Sequence, residues 1–168
     1  HGYHLGQKEH WEKFALWEQT TRVPLIIVAP GVSRAGQTCA QPVSLLDLYP
    51  TLNELCGLPA VTGLSGVSLV PLLREPDQRT GRAVVITQGQ GTHAVRSDKW
   101  RYIRYADGSE ELYDQLRDPK NFTNLASNPD YNSIKQELAA RLPKVNADRD
   151  PVANSQKKWR ETDGSQTD

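Results

Sequence analysis

The chain has 168 residues, of which 37% are hydrophobic, so it is long enough to bury one modest core and a single domain is the prior expectation. Its 20 Lys and Arg residues are balanced by 20 Asp and Glu residues. This balance argues against nucleic-acid binding, which depends on a basic surface. No apolar run is long enough to cross a bilayer, and no charged and then apolar leader precedes the first predicted elements, so any targeting signal is expected upstream.

The chain end and the cysteines give two further expectations. Because the sequence begins at His1 and contains no Met, we expect a processed or truncated chain. Cys39 and Cys56 are too few for a disulfide scaffold or a cysteine-based zinc site. They could pair in an oxidising compartment, but free cysteines are commonly buried, and two buried free thiols are favoured. Residues 121–123 form an Asn-Phe-Thr glycosylation sequon, which matters only in a secreted eukaryotic protein.

The first predicted elements are a loop, a helix and a strand. Residues 3–19 mix helix formers with glycine, which favours a loop followed by a short helix near residues 11–18. The apolar, β-branched run at residues 23–29 predicts a buried strand that is closed by Pro30 and Gly31. A polar turn region at residues 33–41 follows it.

The next predicted elements are helical. Leucines at helical spacing predict a helix over residues 44–56, which Gly57 and Pro59 end. Pro50 inside this run implies two short helical pieces or a kink. Residues 64–73 predict a short helix after a loop, and the polar residues 75–82 are the clearest internal boundary.

The last part of the chain is rich in predicted strands. Residues 83–87, 94–96, 100–105 and 111–113 predict a small antiparallel sheet, with Asp107-Gly108 as a hairpin turn. A final helix begins at Asn128-Pro129 and ends at Pro143. Its apolar residues lie four apart, so it is expected to cover one face of the sheet. A loosely ordered polar tail is expected beyond Pro151.

The opening segment carries a family signal. It reads His-Gly-Tyr-His-Leu-Gly from His1, with Trp11 and Lys13 shortly after and Thr-Arg-Val-Pro-Leu-Ile at residues 21–26. This pattern resembles the second half of the sulfatase family, within the alkaline-phosphatase-like superfamily, and is most similar to iduronate-2-sulfatase-like members. Residues 43–52 and 64–73 are also similar to sulfatase segments. An Asp stands before the position of His1 in that family, so the resemblance implies a chain that begins inside an active site.

The resemblance implies a fold class and a domain organisation. The expected fold is α/β, and α+β in its C-terminal part, as a fragment of an alkaline-phosphatase-like sulfatase fold. Residues 1–76 would form the C-terminal end of the catalytic α/β domain. Residues 77–150 would form a small antiparallel-sheet subdomain with a terminal helix, and residues 151–168 would form a polar tail.

Lys13 is the sharpest candidate for a catalytic and substrate-binding residue. A sulfate ester reacts at a sulfur atom whose non-bridging oxygens hold negative charge, so fixed cations around them lower the barrier. A lysine suits this role because it presents a compact charge with three donors. Lys13 matches the lysine that contacts the substrate sulfate in the resembling family. The alternative is an ordinary solvated lysine.

The histidines are weaker candidates. The resemblance implies that His1 helps to bind a divalent cation, usually calcium, although a lone imidazole is a weak calcium ligand without carboxylates. His1, His4 and His10 could together suggest zinc, but their spacing fits no helical pair and nothing completes the set. His4 is instead predicted to line the substrate pocket, with a surface or structural histidine as the alternative.

His93 lies in a glycine-rich connection that enters a predicted strand. Polar loops at a sheet edge often carry substrate-reading residues, so His93 is a third candidate for substrate binding. A hairpin loop without a ligand is equally compatible. The aromatic residues of the predicted sheet, interleaved with arginine, could suggest base stacking, but the neutral charge favours a packed sheet face. Arg22, Asp47 and Arg96 are interpreted as structural charges.

The resemblance implies a parent enzyme that hydrolyses sulfate esters, with a sulfated sugar such as a glycosaminoglycan or other sulfated polysaccharide as substrate. Its formylglycine nucleophile comes from a C-x-P-S-R type motif, and neither Cys39 nor Cys56 has that context. The nucleophile and most of the calcium site would belong to a missing N-terminal part, so the fragment alone is expected to be inactive. The parent would be periplasmic, secreted or lysosomal. The alternatives are a phosphate or phosphonate ester hydrolase of the same superfamily and a non-catalytic carbohydrate-binding domain.

Overall fold

A computed structural model describes residues 2–147. Four helices lie in this range: α1 (Glu18–Thr21), α2 (Leu48–Leu55), α3 (Val70–Arg74) and α4 (Asn132–Ala139). Four strands lie between α3 and α4: β1 (Val84–Gly89), β2 (Thr92–Arg96), β3 (Trp100–Arg104) and β4 (Glu110–Asp114). No helix of the described range has both the length and the apolar character that a membrane span requires. His1 and the predicted tail at 151–168 lie outside the described residues.

The four strands form one antiparallel sheet in the order β1-β2-β3-β4, as the sequence predicted. The register places Val95 opposite Tyr102 and Tyr102 opposite Leu112. The predicted turn between β3 and β4 is confirmed: Gly108 has a φ of +86°, and the Asp107 carboxylate accepts hydrogen bonds from Ser109. Short connections of this kind fix the register, and therefore which side chains share a face.

The helix α4 covers one face of the sheet, which confirms its predicted place. The Asn128 side chain accepts a hydrogen bond from the backbone of Asp130 at 3.0 Å, at the start of the 3-10 turn Pro129–Tyr131 that leads into α4. Residues that point to one side of the strands then meet the apolar side of α4. This core consists of Val95, Tyr102, Leu112, Ala126, Leu138 and Leu142.

The N-terminal segment covers the other face of the sheet. Because successive strand residues point to opposite sides, Ala94, Ile103 and Tyr113 face away from α4. Leu16 packs onto them and is only 2% exposed. The strands β2, β3 and β4 are therefore covered on both faces, by α4 on one side and by an irregular segment on the other.

Two predicted elements in that N-terminal segment were wrong. Instead of a helix near residues 11–18, the structure has a 3-10 turn at Gln7–Glu9 and the short helix α1. Tertiary contacts with the sheet override the helix propensity of this stretch. The predicted strand at 23–29 has no strand partner within residues 2–147, and Ile26 and Val28 are 85% and 83% exposed.

The predicted helix around Pro50 consists of two pieces, as expected. A 3-10 turn at Leu45–Asp47 leads into α2, in which Pro50 is the third residue and so lies in the first turn, where a missing N–H is tolerated. Asp47 is fully buried and accepts from Arg82 at 2.6 Å, which confirms its structural role. Cys39 and Cys56 are free, as favoured, but both are exposed, so their predicted burial was wrong.

A buried ion pair joins the N-terminal segment to the sheet. Glu18 accepts hydrogen bonds from Arg96 at 2.9 Å and from Arg101 at 2.5 Å. The Arg101 side chain is 1% exposed and also donates to the backbone carbonyl of Leu16 and to Thr21. Arg96 was predicted to be a structural charge, and this contact confirms it.

We expect Glu18→Gln to lower the free energy of unfolding by about 3 kcal/mol, because it leaves the buried Arg101 guanidinium and the half-buried Arg96 guanidinium without a countercharge. Urea unfolding of the chain at neutral pH measures this loss. The matched control is Glu137→Gln, which removes a pair with Arg141 at 3.4 Å whose glutamate side chain is 68% exposed. Exposed pairs of this kind contribute less than about 0.5 kcal/mol. Equal effects of the two substitutions would contradict the role given to Glu18.

The contribution of Glu18 also predicts a pH dependence. Burial acts to raise the pKa of Glu18, but the hydrogen bonds and charges of Arg96 and Arg101 outweigh it and lower the pKa in the folded chain. The stabilisation is therefore complete above the unfolded pKa of about 4.3, and it is lost as the pH falls through the lower folded pKa. We expect the stability difference between wild type and Glu18→Gln to be constant at neutral pH and to narrow below about pH 4.3. A difference that grows on acidification would contradict this.

Candidate functional site

The predicted catalytic residue lies in an ordered loop, residues 2–14, here called the Lys13 loop. Two backbone hydrogen bonds close it like a hairpin: His4 N–H donates to the carbonyl of Glu12 at 3.1 Å, and Gly6 N–H donates to that of His10 at 3.0 Å. The 3-10 turn at residues 7–9 forms its tip. Lys13 follows directly after the closed part.

The backbone of the Lys13 loop is strained. Lys8, Glu9 and Phe14 have φ angles of +54°, +58° and +69°, which L residues rarely adopt. Each costs of order 1–3 kcal/mol and persists only where the surroundings hold it. At Gly2 a Cβ atom would lie 2.3 Å from the carbonyl oxygen of Thr20, so only glycine fits there. Such strain concentrates at functional sites, which makes this loop a candidate site.

The Lys13 side chain is half-buried, and its ammonium has no countercharge within residues 2–147. Its Nζ lies 5.7 Å from the centroid of the Tyr3 ring and 5.8 Å from that of Phe14. Both rings are exposed, at 55% and 65%. No carboxylate or carbonyl group among residues 2–147 pairs with this ammonium. A fixed cation between two aromatic faces is available to an anionic ligand.

Two further contacts hold the backbone that follows the Lys13 side chain. A His10 ring nitrogen lies 3.2 Å from the carbonyl oxygen of Lys13. The Gln88 side chain, from β1, donates to the carbonyl oxygen of Phe14. The direction in which the Lys13 side chain projects from the backbone is therefore set by contacts with the loop and with the sheet.

His4 belongs to the Lys13 loop but lies in its interior. It is fully buried, and its Nε2 lies 2.8 Å from the hydroxyl of Thr20. Its ring packs edge-on against His10 and Trp17, with centroid distances of 5.3 and 5.4 Å. Burial lowers the pKa of His4, and the neighbouring His10 and Lys8 lower it further, so the neutral form is favoured. These contacts are structural, and the predicted contact of His4 with substrate stays a prediction.

Lys8, at the tip of the same loop, has contacts that the sequence did not reveal. Its ammonium donates to the Tyr113 hydroxyl at 2.8 Å and to the Asn121 carbonyl at 2.6 Å, and it lies 4.4 Å from the centroid of the Trp17 ring. Burial lowers the pKa of Lys8, and Glu111 and Asp118 partly oppose this. No local pattern could have singled it out, because Tyr113 and Asn121 lie 105 and 113 residues away.

His93 lies apart from the Lys13 loop. It is 3% exposed and its side chain shares the α4 face of β2 with Val95, whereas the loop lies on the other face. Both ring nitrogens have partners: Nδ1 lies 2.8 Å from the Thr87 hydroxyl and Nε2 lies 2.7 Å from the Asn146 side chain. The structure thus brings His4 and Lys13 into one loop and separates His93 from them. Substrate binding by His93 stays a prediction.

Neither a metal centre nor a glycan acceptor is assembled within the described range. No three His, Cys, Asp or Glu side chains in residues 2–147 converge on a possible cation position. His1, the predicted calcium ligand, lies outside these residues. The sequon residue Asn121 is fully buried, and its side chain accepts from the Glu18 backbone at 2.9 Å. In the folded chain Asn121 is therefore a structural residue.

An open cleft in the described residues does not contain the predicted site residues. Its volume is about 900 Å³, and it lies between residues 22–41 and α3. Charged groups along it include Glu18, Arg22, Arg34 and Arg96, but Lys13, His4 and His93 do not line it. The extended run at 23–27 forms one of its walls. The cleft thus adjoins the apolar run that has no strand partner in the described range.

Known proteins with similar sequences are sulfatases. Residues 6–148 match the family described as N-sulphoglucosamine sulphohydrolase, C-terminal. A protein named sulfatase from Formosa agariphila is 40% identical over 154 residues, which are 92% of this chain and 30% of that protein. Human arylsulfatase K is 31% identical over 166 residues, which are 88% of this chain and 31% of that protein. The chain thus spans about a third of the length of these relatives.

Three solved structures share the fold of this chain. A putative sulfatase from Bacteroides thetaiotaomicron is 29% identical and superposes with a TM-score of 0.67 over 91% of this chain and 34% of its own. A structure in complex with its substrate D-glucosamine-2-N,6-O-disulfate has a TM-score of 0.66 and 21% identity, over 99% of this chain and 34% of its own. A phosphonate monoester hydrolase from Silicibacter pomeroyi has a TM-score of 0.63 and 20% identity, over 94% of this chain and 32% of its own. Identities of 21% and 20% establish the fold alone.

The expected fold, a C-terminal sulfatase fragment with a small antiparallel sheet and a covering helix, is therefore confirmed. The particular likeness to iduronate-2-sulfatase stays a prediction. Because the family match extends over most of the sequence, the chain belongs to the sulfatase family, as a member of its N-sulphoglucosamine sulphohydrolase C-terminal group.

Proposed function

We propose that this chain is the C-terminal part of an enzyme that hydrolyses sulfate esters. The observation that carries the proposal is the Lys13 ammonium, which a strained and closely held loop presents without a countercharge in the described residues. Because the chain belongs to the sulfatase family, the anion that this cation would bind is the sulfate group of the substrate. Lys13 would hold the sulfate oxygens, whose negative charge persists through the reaction.

The remaining chemistry is proposed to come from an N-terminal part. The nucleophile would be a formylglycine there, because neither Cys39 nor Cys56 lies in a suitable motif. Calcium is proposed as the divalent cation of the intact enzyme, with His1 as the ligand from this chain. The described residues offer no donor set of their own for it, and the role of Lys13 does not depend on it.

The exposed run at residues 23–28 supports a partner within the same polypeptide. Apolar, β-branched side chains such as Ile26 and Val28 lie in solvent here, although their pattern is that of a buried strand. We propose that residues 1–76 complete the catalytic α/β domain and that 77–150 form the smaller subdomain. This chain alone would then be inactive. The parent protein is proposed to be periplasmic, secreted or lysosomal.

A sulfated sugar is the proposed substrate class. One fold neighbour binds D-glucosamine-2-N,6-O-disulfate as its substrate, and the matching family takes its description from an N-sulphoglucosamine sulphohydrolase. The exposed Tyr3 and Phe14 rings beside the Lys13 ammonium are compatible with a sugar, because aromatic rings offer apolar faces to its C–H groups. An iduronate-containing glycan is a narrower form of the same proposal.

The second candidate is a phosphonate or phosphate ester hydrolase, which the fold likeness to a phosphonate monoester hydrolase favours. We expect the full-length parent enzyme to hydrolyse sulfate monoesters of sugars faster than phosphonate monoesters with the same leaving group. Steady-state assays of matched ester pairs measure this ratio. Intact mass of the active protein supplies the independent control, because a Cys-to-formylglycine conversion accompanies sulfatase chemistry. A phosphonate preference together with an unmodified Ser or Thr nucleophile would replace the sulfatase proposal.

We expect Lys13→Ala in the full-length enzyme to reduce kcat by roughly 100-fold or more, corresponding to about 3 kcal/mol of lost electrostatic stabilisation. The thermal midpoint should change little, because the Lys13 ammonium pairs with no group in the described residues. Lys13→Arg should retain part of the activity, because it keeps the charge. Lys144→Ala, at an exposed lysine, is the matched control. Near-normal turnover of Lys13→Ala would show that another residue holds the sulfate.

A further inference from the structure

We infer that Lys8 is the positioning residue for Lys13, and that its ammonium fixes the tip of the Lys13 loop to the antiparallel sheet. The two lysines lie five positions apart in one loop, but their surroundings are opposite. The Lys13 ammonium has no hydrogen-bond or salt-bridge partner among residues 2–147, whereas the Lys8 ammonium donates to both Tyr113 and Asn121. The inference rests on the proposed function, because it takes Lys13 as the group that meets the sulfate.

The contacts of Lys8 direct its ammonium towards the chain. Two of its three donors have acceptors, at 2.8 and 2.6 Å. The ammonium also lies 4.4 and 4.8 Å from the ring centroids of Trp17 and Tyr113. A cation in this position is attracted by the aromatic faces and held by directed hydrogen bonds. These contacts favour a role that is exerted through the loop that carries Lys8.

The tip of the loop needs an external hold. Lys8 and Glu9 are consecutive residues in the left-handed region, with φ angles of +54° and +58°. Neither is a residue type that favours this region, so the isolated segment would leave it. The Lys8 side chain supplies the hold at the same residue where the backbone is strained. The same residue, Lys8, therefore has both the strained backbone and the side chain that anchors it.

The tip is linked to Lys13 by short contacts. Gly6, just before the tip, donates to the carbonyl of His10, just after it, and His4 donates to Glu12. The His10 ring then lies 3.2 Å from the Lys13 carbonyl oxygen. A shift of the tip is thus transmitted to the residue next to Lys13 and to its own carbonyl. Displacements of about 1 Å at a catalytic group can reduce turnover roughly 100-fold.

The anchor itself belongs to the buried sheet. Tyr113 is 1% exposed in β4, and its hydroxyl accepts from Lys8 while donating to Glu111 at 2.8 Å. Glu111 also accepts from the Trp17 indole at 2.7 Å. Asn121, whose carbonyl is the second acceptor, is fully buried and hydrogen-bonded to Glu18. Lys8 therefore ties the loop to the same framework that holds α1.

The test is a double-mutant cycle in the full-length enzyme, with Lys8→Met, Lys13→Ala and their combination. Lys8→Met keeps the aliphatic stem and removes the charge and the donors. Lys8→Arg restores a charge, and Tyr113→Phe removes one acceptor with minimal loss of volume. Lys99→Met is the matched control. The Lys99 ammonium also lies over an aromatic ring, 4.8 Å from the centroid of Trp100, but that ring packs against the core on the α4 face of the sheet, away from the Lys13 loop. The kcat and KM of each variant are measured below its thermal midpoint.

We expect Lys8→Met to reduce kcat at least tenfold with a smaller change in KM, because a misplaced Lys13 loses mainly transition-state contact. Lys8→Arg should recover part of this loss, Tyr113→Phe should show a smaller loss of the same kind, and Lys99→Met should leave both constants unchanged. In the Lys13→Ala background, Lys8→Met should cost almost nothing further, because its effect passes through Lys13. Full additivity of the two substitutions, or unchanged kcat in folded Lys8→Met, would overturn the inference.

A readout that needs no activity separates this inference from the proposed function. Hydrogen exchange of the backbone amides at residues 9–14 should accelerate in Lys8→Met and stay unchanged in Lys99→Met. If the wild-type enzyme does not hydrolyse sulfate esters but this acceleration is found, the proposed function fails while the anchoring of the loop stands. Unchanged exchange in an otherwise active enzyme would overturn the anchoring and leave the proposed function intact.

Discussion

The architecture depends on one cluster of three charged side chains, in which Glu18 contacts both Arg96 and Arg101. The carboxylate belongs to a short helix that follows an irregular loop, and the arginines belong to neighbouring strands of the sheet. Burial of three charges is costly unless they satisfy one another, so the segment has few alternative positions. Leu16 and the backbone of α1 are fixed by the same contacts, through Arg101 and Asn121. The small sheet thereby supports the Lys13 loop, whose only regular element is the 3-10 turn at Gln7–Glu9.

In the proposed site, Lys13 and Lys8 have different roles. Lys13 keeps an ammonium without a countercharge in the described residues, which is the property needed to stabilise an anionic reacting group. Lys8 donates to Tyr113 in β4 and to the carbonyl of Asn121 beyond it, and its backbone has a conformation that its residue type disfavours. A precise position for a cation on an irregular loop requires such an anchor, because loop backbone alone is mobile. The fold thus supplies rigidity at the one place where the proposed chemistry needs it.

The exposed apolar run at residues 23–28 agrees with the proposal that this chain is one part of a longer enzyme. Its relatives are about three times as long, and the pattern of its side chains is that of a strand buried in a larger sheet. The cleft beside this run has charged and apolar walls that the described residues leave open. We propose that a catalytic site completed from both parts of a longer polypeptide accounts for the loop, the open surface and the family match together.

Local patterns in the sequence determined the elements whose causes are local. Strand-forming stretches and the Asp107-Gly108 turn predicted the four strands. The Asn128 cap and the apolar residues spaced four apart predicted α4. Propensity, periodicity and capping all act within a few residues. The opening motif identified Lys13 as the site candidate. Only the tertiary structure decided that Lys8 reaches Tyr113, that Asn121 is buried and that His93 lies on the opposite face of the sheet from the loop. These facts depend on residues that meet across more than fifty positions, and no local pattern encodes such contacts.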